Sequence, residues 1–200
     1  MRAWYCAASL LVSFACANGA EIHPPQTLAI LFQFEQPYPS RALAEAQREL
    51  NVLTKGAAVR LEWYDRGGPH AASSFPNILV LDFRGSCDPR SENKLAGPAT
   101  GWLARMHVSD GVVLPFGEVN CDLVRAVMND GTKKGKPNDA VFGRALARVL
   151  AHELFHFITN STDHLDAGLA KPSFSRKDLA LDGLRLDRRA LDRLSSAFLQ

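Results

Sequence analysis

Several features that would narrow a 200-residue chain quickly are absent. Charge of one sign is lacking: 23 Lys and Arg stand against 21 Asp and Glu, a formal net charge of +2, so nothing calls for a nucleic acid or another polyanion as partner. Heptads, internal repeats and low-complexity tracts are missing, which excludes coiled coils and solenoids. No glycine-rich phosphate loop follows an apolar run, so nucleotide binding has no support. Glutamate stops at Glu153, methionine at Met128 and tyrosine at Tyr64. Cysteine is scarce, with four residues in all.

What is present begins with a distinctive N-terminus. Arg2 precedes an apolar and small-residue run from Trp4 to Ala17, too short to span a bilayer comfortably. It reads as a secretory signal peptide over residues 1–20, leaving 21–200 as a single domain that is secreted or periplasmic, with no membrane span. Lipoprotein anchoring through Cys16 is the lesser alternative, because Ser13 stands where a Leu usually precedes such a cysteine. Cleavage would remove Cys6 and Cys16. The remaining pair, Cys87 and Cys121, is expected to form a disulfide worth roughly 3–4 kcal/mol in the chain-entropy model.

The rest of the chain alternates short apolar runs with helical patterns. Residues 27–34, 59–64 and 77–83 read as strands, the last apolar enough to lie centrally. Residues 101–108 and 111–116 read as a weaker fourth strand and a fifth bent at Pro115. Ser40 is the expected cap of a helix to about Leu53, and a short helix is expected over 122–128. Asp130 to Pro137 looks like a linker. Asn138 or Asp139 then caps a long helix to about Thr159; Ser175 with Asp178 forms a capping box, and an amphipathic helix ends the chain. This order predicts an α+β domain: a mixed twisted sheet of four to five strands, a long helix, and C-terminal helices.

The long helix carries the chemistry. His152 and His156 are four residues apart, so both imidazoles project from one face, about 40° apart around the axis. Two imidazoles so placed can grip one cation, for which Zn²⁺ is the usual guest. Glu153 is aimed beside such a metal instead of at it, where a carboxylate can take a proton from water. Apart from Arg144 and Arg148 the helix is apolar almost all round, which predicts burial. Burying two imidazoles and a carboxylate without partners would cost several kcal/mol, a cost that a bound cation removes.

The third ligand follows partly by exclusion. A glutamate on a later helix is impossible, because none follows Glu153. His164 is the preferred candidate, with Asp163 and Asp166 as alternatives; imidazole suits zinc better than a lone carboxylate. An aspartate that does not ligate would be free to orient a ligand imidazole.

His152-Glu153-Leu154-Phe155-His156 resembles the motif of the zincin metallopeptidases, and the third histidine in a following loop makes the chain similar to the metzincin group. The wider block Gly143 to Leu179 resembles small exported bacterial proteins of unsettled function. The resemblance implies a zincin-like domain and an exported zinc-dependent peptidase, with metal on His152, His156 and His164 and Glu153 as general base. It departs from the metzincin pattern at Thr159 and Thr162, where Gly and His would stand, and in lacking a methionine after the helix. A peptide or protein would be the substrate, taken by a monomer, with the edge strand at 101–108 available to pair with it. Arg176 and Arg185 are candidates for an oxyanion partner. The rival reading is a non-catalytic exported zinc-binding or interaction protein, its metal site closed by Asp163 or Asp166.

Overall fold

The computed structural model describes residues 25–70, 73–92, 101–129, 137–180 and 183–197. The expected leader over 1–20 and nearly all of the linker-like stretch lie outside them. Strand β1 (Gln26–Phe34) holds five consecutive buried residues, Leu28 to Phe32, as a strand covered on both faces should. Helix α1 (Ser40–Leu53) leads to β2 (Val59–Asp65) and β3 (Ile78–Arg84). Hairpin strands β4 (Ala104–Ser109) and β5 (Val112–Asn120) follow. The sheet order is β2-β1-β3-β5-β4, with β3 central as its composition predicts. All neighbours are parallel except β4, which runs antiparallel to β5 and forms one edge.

Two expectations need correction. Ser40 does not cap α1: Pro39 holds the cap position without a side-chain bond, and Ser40 is already helical. The fifth strand does not end at Phe116 but runs on to Asn120. Pro115 is tolerated because it lies in a ladder irregularity. Met106 pairs with Gly117 and Val108 with Val113, so His107 faces three residues. Within that bulge a missing N–H breaks no regular pairing.

Helices α2 (Cys121–Met128) and α3 (Asp139–Thr159) are capped by asparagines: Asn120 accepts from Leu123 N and Asn138 from Val141 N. Cys87 and Cys121 are disulfide-bonded, as expected, with Cα atoms 4.9 Å apart, which ties the loop after β3 to the start of α2. Every residue of α3 from Ala145 to His156 is buried. Even Arg148 is inside, its guanidinium bonded to the carbonyls of Asp178 and Leu179 and to Glu49. Two short helices, α4 (Arg176–Ala180) and α5 (Arg188–Ala197), close the chain. The Ser175–Asp178 capping box before α4 forms as expected. Among the described residues no helix is long and apolar enough to cross a membrane.

Candidate metal centre

Helix α3 delivers His152 and His156 to one spot, and the chain turns at its end to bring in a third histidine. The turn is made by Asn160, whose backbone is left-handed (φ 44°, ψ 46°). Asparagine tolerates that conformation better than most residues, which is why it can end a helix. The loop beyond places His164 against both others: its ring stacks on His152 at 5.1 Å and meets His156 edge-on at 4.8 Å. One ligand atom from each histidine lies within 4.8 Å of the other two. Among the described residues this is the group able to hold a metal ion, and neither Asp163 nor Asp166 belongs to it.

The ring tautomers decide what the group can do. His152 Nδ1 is 2.8 Å from the Leu169 carbonyl, and His156 Nδ1 is 2.7 Å from the Ser161 carbonyl. A carbonyl only accepts, so each Nδ1 carries the proton and each neutral ring keeps a bare lone pair on Nε2. Those two Nε2 atoms face each other at 3.0 Å. No hydrogen lies between them unless a ring is protonated. Protonation is disfavoured: burial is the chief cause pulling His152 down to about 4, against the Leu169 carbonyl, and burial likewise lowers His156. Two opposed lone pairs with a third imidazole beside them are an electron-rich trap that a cation relieves. Nitrogen donors of this kind suit zinc.

His152 and His156 are therefore oriented by main-chain carbonyls. An aspartate was expected to be free to orient a ligand imidazole; for these two rings neither Asp163 nor Asp166, both exposed, supplies the Nδ1 partner. Leu169 sits in a 3-10 turn, Gly168–Ala170, beneath the rings. Gly168 has φ 69°, and a Cβ there would lie 2.7 Å from the Arg185 carbonyl, so only glycine fits. Leu169 and Ala170 in this turn are fully buried.

Glu153 stands apart from the three imidazoles and is almost fully buried. Burial pushes its carboxyl up to about 7, although the Met106 backbone N–H bonds it and pulls the other way. A carboxylate poised near neutrality is suited to proton transfer. It lines a cleft of roughly 300 Å³ together with His152 and His164. Leu123 and Val127 of α2, Val149 of α3 and Phe174 make that cleft apolar around them. Trp102 forms another wall, from the segment that leads into β4. Neither Arg176 nor Arg185 is among the described residues lining it, and Arg176 Nε donates to the Met128 carbonyl.

Sequence reasoning named His152, Glu153, His156 and His164; the structure gathers the three histidines, and Glu153 lines a cleft with two of them, His152 and His164. It missed Leu169, Ser161 and Asn160. Leu169 and Ser161 act through backbone carbonyls and leave no trace in residue type. Asn160 did leave one: an asparagine at the end of a helical pattern is a known stop.

No protein-family model matches the chain, and no curated protein matches its sequence. In three dimensions it is similar to the crystal structure of archaemetzincin from Methanopyrus kandleri, with a TM-score of 0.52 and 12% sequence identity. The match covers 88% of this chain and 96% of that one. The chain thus shares an α+β fold with that protein, a mixed five-stranded sheet with helices packed against it.

Proposed function

We propose that the protein is an exported zinc-dependent peptidase. The observation that carries this reading is the pair of buried imidazoles with lone pairs opposed at 3.0 Å, joined by His164 and flanked by a buried carboxylate. His152, His156 and His164 would hold the metal, which when bound supplies Lewis acidity to polarise a scissile carbonyl and acidify a nearby water. Glu153 accepts the proton of the attacking water and returns it to the leaving amine. The Met106 backbone N–H beside that carboxylate favours its charged form. The free edge of β4 pairs with an extended peptide, main chain to main chain. The apolar walls from Leu123, Val127 and Val149 accept an apolar side chain next to the bond being cut.

The fold likeness to a protein named as an archaemetzincin supports the same reading, since that name belongs to the group to which His152-Glu153-Leu154-Phe155-His156 and the later loop histidine were likened. Export is proposed from residues 1–20; the Cys87–Cys121 disulfide is compatible with an oxidising compartment. The closed-site alternative gains nothing from the geometry, because no aspartate joins the histidines among the described residues.

The test is metal content of the purified protein together with cleavage of a diverse peptide mixture, with and without chelator. Glu153→Gln should keep the metal and lose roughly 10²- to 10⁴-fold in turnover, the usual worth of a general base. A zinc-loaded wild-type protein that cuts no peptide would reject the peptidase reading.

A further inference from the structure

We propose that Asn160 is a positioning residue: its side chain clamps the β4–β5 hairpin to the exit of the helix that carries the histidines. The consequence for turnover rests on the peptidase reading above; the clamp itself does not.

Val113 lies where β5 overhangs β3, since pairing between those strands begins at Val80 and Phe116. Its residue is buried, so its backbone N–H needs an acceptor from elsewhere. Asn160 Oδ1 supplies it at 2.8 Å. Asn160 makes this bond from a left-handed backbone. The very next carbonyl, of Ser161, holds His156 Nδ1. Two adjacent residues thus fix a candidate ligand and the hairpin together.

Helix α3 also packs directly against β4, with the Met106 backbone near the Glu153 carboxylate. Glu153 and Asn160 are seven residues apart, roughly 10 Å along a helix axis. A packing contact and a hydrogen bond that far apart fix the tilt of a strand against a helix, whereas one alone leaves it free to pivot. The bulge at His107 lies between Met106 and Val113 along the hairpin, where the ladder resists bending least. Without Asn160 the outer half of β4 can swing about Met106, and a peptide paired with its edge moves relative to the metal centre.

The experiment uses the full chain and two variants. Asn160→Gly keeps the left-handed backbone and removes the acceptor; Asn160→Asp keeps both. Zinc affinity is read by competition with a chromophoric chelator, kcat/KM on a peptide that the wild type cleaves, and amide hydrogen exchange over residues 104–114. Asn160→Gly should lose on the order of 10- to 100-fold in kcat/KM with zinc affinity within about twofold, because a misplacement near 1 Å is enough for such a loss. Exchange over 104–114 should quicken, and Asn160→Asp should restore both readouts. Wild-type turnover in Asn160→Gly overturns the positioning role whatever the exchange shows. So does loss of zinc affinity in step with turnover, which would make Asn160 a plain helix stop, and so does equal damage in the two variants. If the wild type cuts nothing with zinc bound, the peptidase reading fails, while unchanged exchange in Asn160→Gly is the separate result that sinks the clamp.

Discussion

Replacing Gly143 with alanine tests how closely α3 is seated on α1. A Cβ at this position would lie 2.5 Å from the Ala42 carbonyl oxygen and 2.8 Å from Glu45 Cβ. Ordinary contact begins near 3.4 Å, so the helices would have to part by roughly 0.9 Å along that line. The nearer atom is main chain and cannot swing aside. Two effects compete. Alanine is favoured over glycine inside a helix by about 1 kcal/mol. Overpacking a close interface costs about 1–3 kcal/mol, and a rigid neighbour puts this site at the upper end. The net expectation is a loss of about 1–2 kcal/mol, or roughly 3–6 °C in Tm for a domain of this size. Urea titration followed by circular dichroism measures it, with the m-value unchanged. Zinc affinity should stay close to wild type, because His152 lies roughly 13 Å further along the helix. A Gly143→Ala protein as stable as wild type, or more so, would refute the close approach.

Three further outcomes are expected. His164 is exposed, so His164→Ala should leave the metal-free stability within about 0.5 kcal/mol while weakening zinc binding by at least about 100-fold, more than loss of a mere orienting partner costs; denaturation and chelator competition measure the two. For Asp178, partial burial opposes ionisation, but the Lys171 ammonium and the Ser175 hydroxyl and amide outweigh it and hold the carboxyl at about 2, below its ordinary 3.8. A depressed carboxylate stabilises the fold above pH 3.8 and loses that contribution as pH falls through 2. The side chain is 22% exposed, so screening reduces an upper bound of about 2 kcal/mol to about 1; Asp178→Asn should be that much less stable near pH 6 and equal to wild type below pH 2 in parallel urea melts. Removing the disulfide with Cys87→Ser and Cys121→Ser, whose partners are 34 residues apart, should cost about 4 kcal/mol by loop entropy, read as a lower urea midpoint.

Strongly patterned elements were legible in the sequence. The apolar run of β3 announced a central strand, and four-residue spacing put His152 and His156 on one face of a helix. The capping box at Ser175 and Asp178 has a side-chain signature, and it forms. Elements governed by tertiary context were harder to read. Pro115 and Gly117 look like punctuation, and only pairing with β3 and β4 carries β5 through them. Ser40 resembles a cap, yet Pro39 holds the cap position and places Ser40 one residue inside the helix. The aspartates near His164 resembled ligand-orienting groups, but nearby carbonyls already held both rings.

That last arrangement bears on how such a site is inherited. The groups that steer the two imidazoles are peptide oxygens at Ser161 and Leu169, so they impose a path on the chain and demand almost nothing of the side chains at those two positions. Descendants can rewrite those letters freely while the rings stay aimed. Kinship among proteins built this way survives in shape long after it has faded from text.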